Sequence, residues 1–118
     1  MEFNTIVDNH APVMSGGVIC DVGSFQARNN IIARNTVGGT RTAQVTGSCG
    51  FASSKIQDDV DGLEFIDSAS PAPFDYRVGA GSTAIDQATA TSEIDIDFEG
   101  DGRPQGPGKD LGADEWTP

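Results

Sequence analysis

Leucine is scarce in this chain, two residues against 17 isoleucines and valines together. The imbalance argues against helices, because β-branched side chains lose rotamer freedom there and fit a pleated, half-buried surface instead. Basic residues are few as well: seven Lys and Arg against 18 Asp and Glu leave a net charge of −11. Such a chain offers phosphates no long-range attraction, which excludes nucleic acid and anionic membrane surfaces as partners. Apolar runs are short, as at Val18 to Cys20 behind two glycines, whereas a bilayer-spanning helix needs about 20 residues. Met1 is followed by Glu2 and a polar stretch, not by the basic start and apolar centre of a secretory signal. Two cysteines and one histidine, with no Cys-x-x-Cys spacing, are too few for a four-ligand structural zinc site.

What the chain has is glycine, 15 of 118 residues, which implies frequent corners and short strands. Leu, Ile, Val and Phe total 25, enough for a slender core in one domain. Charge divides the chain. Residues 1–57 hold three acids and four bases, and residues 58–118 hold 15 acids and three bases. Strand-like segments at Thr5 to Asp8, Val18 to Asp21, Phe25 to Arg34 and Ala43 to Thr46, bounded by Asn or Gly, lie in the near-neutral half. Gly, Pro and Asp punctuate the chain after Val78, and Gly100 to Gly108 can hold neither helix nor ladder. Ser82 to Ile94 is the one weak helix candidate. These shifts divide one domain into β-coils over 1–57, a last coil and closing loops over 58–92, and an acidic Gly/Pro-rich tail over 93–118.

An offset of 26 residues pairs Asn4 with Asn30, Ile6 with Ile32, Asn9 with Asn35 and Phe25 with Phe51, and sets Ile19 opposite Val45. Asn recurs at both ends of a short apolar strand, where it tolerates left-handed backbone and its amide can join a ladder between coils. This pattern suits a parallel β-coil; a small antiparallel sandwich with Asn in ordinary turns is the alternative. The stretches NTIVDN, GGVICDVGSFQARNNIIARNT, GLEFIDSASPAPFDYRVGAGSTAID and DFEGDGRPQGPGKDLGADEW resemble the closing coils and tail of bacterial right-handed parallel β-helix proteins. The most specific match is C-terminal: an aspartate-rich run ending in Arg-Pro (Asp97 to Pro104), then Asp-x-Gly-Ala-Asp before an aromatic close (Asp110 to Trp116). The resemblance implies an all-β fold, a short right-handed parallel β-helix fragment of two to three coils with an irregular acidic C-terminal tail. It also implies a secreted or cell-surface origin, although the residues alone leave the compartment unknown.

The acidic run Asp95, Asp97, Glu99 and Asp101 is the candidate metal site, with calcium the candidate cofactor, because alternation puts four oxygen donors on one side. The competing reading packs Ile94, Ile96 and Phe98 against the domain and turns the acids to water; an EF-hand counted from Asp95 fails at Gly106. No catalytic residues are nominated. His10 lacks a partner motif, and the Gly79-Ala80-Gly81-Ser82-Thr83 stretch lacks the lysine of a phosphate loop. With Cys20 stacked on Thr46, Cys49 would lie roughly 10 Å further along. A disulfide tolerates Cα separations only to about 7 Å, so both thiols are expected to be free.

An end-piece of a coil stack exposes backbone donors, acceptors and apolar side chains on its uncovered edge. Phe3, Thr5, Ile6 and Val7 form that edge, and a homo-oligomer is the expected partner state, unless the N-terminal segment folds over as a cap. The favoured function is a non-catalytic structural or interaction module that self-associates. The alternative is a carbohydrate-binding or polysaccharide lyase-like remnant with a polysaccharide partner, using Arg28, Arg34 or Arg77 beside acids; against it, sugar sites usually offer an aromatic platform, and here the sole Trp116 lies in the tail while Tyr76 is the only tyrosine.

Overall fold

Short β-branched runs closed by Asn or Asp corners give short strands that reach full pairing only by lying on a neighbouring layer. The computed structural model describes residues 1–39 and 41–118. Its strands are β1 (Thr5–Val7), β2 (His10–Ala11), β3 (Val18–Arg28), β4 (Ile31–Ala33), β5 (Thr36–Val37), β6 (Arg41–Thr42), β7 (Val45–Ala52), β8 (Lys55–Gln57), β9 (Phe65–Asp67) and β10 (Asp75–Val78). The protein is all-β, and no helix occurs among the described residues, Ser82 to Ile94 included.

Four small sheets form: β1-β4-β8, β2-β5-β6, β3-β7 and β10-β9. The first is parallel throughout, stacking Ile6 on Ile32 on Ile56. In the second, β2 lies parallel on β5 with His10 opposite Thr36, and β6 then returns antiparallel. The third is parallel and the fourth antiparallel. Parallel layering is therefore confined to the first half of the chain, and hairpin-like returns accompany it.

Left-handed corners repeat with the layers. Phe3, Asn29 and Ser53, at φ of 52°, 60° and 41°, each stand two residues before β1, β4 and β8; Asp8 and Arg34, at 58° and 51°, follow β1 and β4 directly. The Asn columns support these bends. Asn30 Oδ1 accepts the Asn4 backbone N–H at 3.0 Å and its side-chain amide at 2.9 Å. Asn35 Oδ1 does the same for Asn9, at 3.0 Å for both bonds. Each fully buried amide thus satisfies corner groups that a one-layer turn would leave unpaired.

The 26-residue register does not extend through β3 and β7. Val18 faces Val45 and Ile19 faces Thr46, a 27-residue offset; after an irregularity between Cys20 and Phe25 the offset falls to 24. Phe25 consequently faces Cys49, not Phe51, and Cys20 faces Gly47, not Thr46. The slip brings the two cysteines to a Cα separation of 5.8 Å, and they form a disulfide. The expectation of free thiols is corrected here: a constant register was assumed across a bulge, and bulges shift pairing locally.

β4 is buried on both faces, with Ile31, Ile32 and Ala33 all fully enclosed. Ile31 and Ala33 join Val7, Leu63, Val78, Ala84 and Leu111 in one apolar cluster, while Ile32 points the other way by strand alternation. Two-sided burial explains why this strand reads as a continuous apolar run.

The 93–118 segment is irregular but packed. Arg103, Asp110, Leu111, Asp114 and Glu115 are buried within it. Gly112 donates its N–H to Asn29 O at 2.9 Å, and Ala113 donates to Thr5 Oγ1 at 2.9 Å. Gly112 sits at φ +88°, and a Cβ there would lie 2.6 Å from Thr5 Oγ1 and 2.8 Å from Ile31 Cδ1, so only glycine permits this approach. Arg103 anchors the segment. Its guanidinium donates to Glu115 at 2.9 Å, to Asp110 O at 3.1 Å and to Gly112 O at 2.9 Å, and lies 4.3 Å from the Phe3 ring centroid.

Candidate functional site

Strand β10 alternates Asp75 and Arg77 with Tyr76 and Val78, and Phe74 directly precedes it. The Phe74 and Tyr76 ring centroids are 5.7 Å apart at 33°, and Phe65 meets Tyr76 edge-on at 5.4 Å. Across from them the C-terminal segment contributes Phe98, 64% exposed, with Glu99 and Asp114. These groups line a groove of about 450 Å³. A hollow of about 400 Å³ around Asp8, Arg34 and Ser68 shares Phe74 with it; one of about 240 Å³ beside Ile66 and Trp116 shares Arg77, Glu99 and Asp114. Shared lining residues set the three hollows side by side, here termed the trough.

The charges in the trough are mostly paired. Arg77 Nη2 meets Asp75 at 2.6 Å and Nη1 reaches Glu99 at 3.6 Å. The bond to Asp75 holds the Arg77 guanidinium further up, and Arg77 holds the Asp75 carboxyl below its usual range. Arg34 grips Asp8 through two nitrogens at 2.5 Å and also donates to Ser68 O at 2.7 Å. Asp8 in addition accepts the Tyr76 hydroxyl. Arg34 chiefly lowers the Asp8 pKa, while burial and then the Asp8 carboxylate push Tyr76 up to about 12. Asp114 departs from this pattern: burial, followed by the charges of Asp97 and Glu99, raises its pKa, opposed by the Val78 N–H and Arg77.

Arg28, Arg34 and Arg77 do stand beside acids, Glu2, Asp8 and Asp75 respectively. The proposed calcium ligands are not gathered. Asp97 is buried, its Oδ1 accepting the N–H groups of Glu99, Gly100 and Asp101, each at 2.9 Å, and its Oδ2 the Glu115 N–H at 3.1 Å. Asp95 pairs with Lys109 at 2.7 Å, Glu99 turns to Arg77, and Asp101 is exposed. Among the described residues no group of three or more His, Cys, Asp or Glu side chains is placed to hold a metal. The alternation assumed for this run does not hold: Ile96 and Phe98 are exposed at 63% and 64%, and of the four acids only Asp97 faces inward. Backbone N–H groups at a tight turn need an acceptor more than two apolar side chains need cover.

Of the edge residues, Phe3 is buried beneath Arg103 and does not face outward. Thr5, Ile6 and Val7 do form an edge strand, with β4 on one side only. His10 Nδ1 contacts Thr36 Oγ1 at 3.0 Å on the surface. The aromatic wall escaped sequence reasoning because Phe74 and Phe98 stand 24 residues apart in irregular segments; the aromatics flanking charged β10 residues were the only local signal. Comparison with family models, with curated proteins and with solved structures gives no match.

Proposed function

We propose that the chain is the closing end of a right-handed parallel β-helix, acting as a non-catalytic interaction module that self-associates through its first layer. The observation carrying this reading is that β1, β2 and β3 are each terminal in their sheets. Asn4 O and Asp8 N–H face β4, so by alternation the backbone groups of Thr5 and Val7 point to the open side. The occupant is a second copy of this chain. The near-neutral first half can approach another copy without the repulsion met at the opposite edge, where Asp58, Asp59 and Asp61 follow β8. The Cys20–Cys49 bond supports a secreted or surface location, since disulfides persist in oxidising compartments. Light scattering at micromolar concentration should give a mass above the 12.3 kDa monomer, with Thr5 and Val7 amides gaining exchange protection as concentration rises. A strict monomer with unprotected amides would refute the proposal.

A second reading, polysaccharide binding along the trough, is favoured by the Phe74, Tyr76 and Phe98 wall. A glycan array tests it, and an array without a bound sugar removes it.

A further inference from the structure

Resting on the first reading, self-association through the β1 edge, we propose that the contact is head to tail: the β8 edge of one copy lies parallel on the β1 edge of the next, so that chains stack without closing. One column of corner groups carries this. The Asn4 N–H donates to Asn30 Oδ1 at 3.0 Å, and the Asn30 N–H donates in turn to Ser54 Oγ at 3.1 Å. Each layer thus hands its corner N–H to a side-chain oxygen of the layer below. The column ends on two complementary groups. Asn4 Oδ1 receives no donor and the Ser54 N–H finds no acceptor among the described residues, while Ser54 Oγ turns back to Ala52 O at 2.9 Å. A second copy set above the first brings its Ser54 N–H to the Asn4 oxygen, which continues the column by the same rule. The Asn9–Asn35 column gives no such repeat, because Gln44 Oε1 accepts the Asn35 N–H at 3.0 Å and closes it.

The strand edges match in the same sense. The Lys55 N–H donates to Asn30 O, and Gln57 O accepts the Arg34 N–H, so by alternation the N–H and C=O of Ile56 point away from β4. Parallel pairing places that residue between the outward groups of Thr5 and Val7. The stack of Ile6 on Ile32 on Ile56 then runs one layer further, with Ile56, 42% exposed, covered by Ile6 of the next copy. A two-fold contact between first layers leaves the column unused. It runs β1 antiparallel to its copy, and pairing Thr5 with Val7 sets Asn4 opposite Asp8, whose N–H is already given to Ala33 O. At the first layer Glu2 and Asp8 are paired with Arg28 and Arg34, whereas two β8 edges would bring together Asp58, Asp59 and Asp61 from both copies.

Sedimentation velocity of the full chain from micromolar to millimolar concentration, with amide exchange, tests this. Stacking should carry the mass past twice the 12.3 kDa monomer without a plateau, with the Ile56 amide protected together with those of Thr5 and Val7. Ile56→Pro removes the outward N–H without touching a bond to β4, and Ile56→Lys places a charge on the same exposed edge; each variant, shown to be folded by circular dichroism, should stay monomeric alone. Either variant keeps its β1 edge, so adding it in excess should cut the parent's mass to about that of two chains. A parent mass that levels at two chains and is unchanged in both variants would show a two-fold contact, overturning the stacking while leaving first-layer association standing. A strictly monomeric parent would remove both. Growth of both variants equal to the parent's would overturn the assignment of the β8 edge.

Discussion

Removing the Cys20–Cys49 bond perturbs a single, well-defined link: it ties β3 to β7 across the irregular step in their register. The cysteines are 29 residues apart in sequence, and the chain-entropy model gives about 3.6 kcal/mol for closing such a loop in the unfolded state. For 118 residues the unfolding entropy near the midpoint is about 250 cal/mol/K, so the loss corresponds to a fall in Tm of about 14 °C. That is a ceiling, because residual structure in the unfolded chain reduces the entropy gained. The magnitude matters against total stabilities of about 5–15 kcal/mol. Scanning calorimetry of the Cys20→Ala/Cys49→Ala variant against the parent measures it directly, and exchange protection should fall first in β3 and β7. The non-reduced parent should weigh two hydrogens less than the reduced one. A Tm change below about 4 °C, or a parent mass equal to the dithiol, would refute the reasoning.

Tyr76 is the sole tyrosine, so alkaline absorbance titration reads it alone, with an expected midpoint of about 12 against the ordinary 10.0. A raised folded-state pKa contributes stability that is fully present below about pH 10 and lost as pH rises through about 12. Asp8→Asn should bring the midpoint down; an unshifted parent that is still folded would contradict the Asp8–Tyr76 contact. Arg103→Met strands the buried Glu115 carboxylate and should cost about 3–5 kcal/mol in urea unfolding, most of it regained in Arg103→Met/Glu115→Met. A single-variant loss under about 1 kcal/mol would contradict the buried pairing.

Legibility in the sequence followed the range of the interaction. The dominance of Ile and Val over Leu, the Asn at both ends of NTIVDN and the Asn4–Asn30 and Asn9–Asn35 spacings determined an all-β chain with stacked layers, because strand preference and corner tolerance are properties of single residues and fixed offsets. The Cys20–Cys49 bond did not follow from spacing, since it depends on how many residues a bulge absorbs, a quantity set by packing on both strands. The inward turn of Asp97, the burial of Phe3 under Arg103 and the placing of Phe74 and Phe98 on one groove were likewise decided only by tertiary structure. In irregular segments no periodicity tells a side chain which way to face. The competition there is settled by which backbone N–H groups lack an acceptor and which apolar faces a distant segment happens to cover.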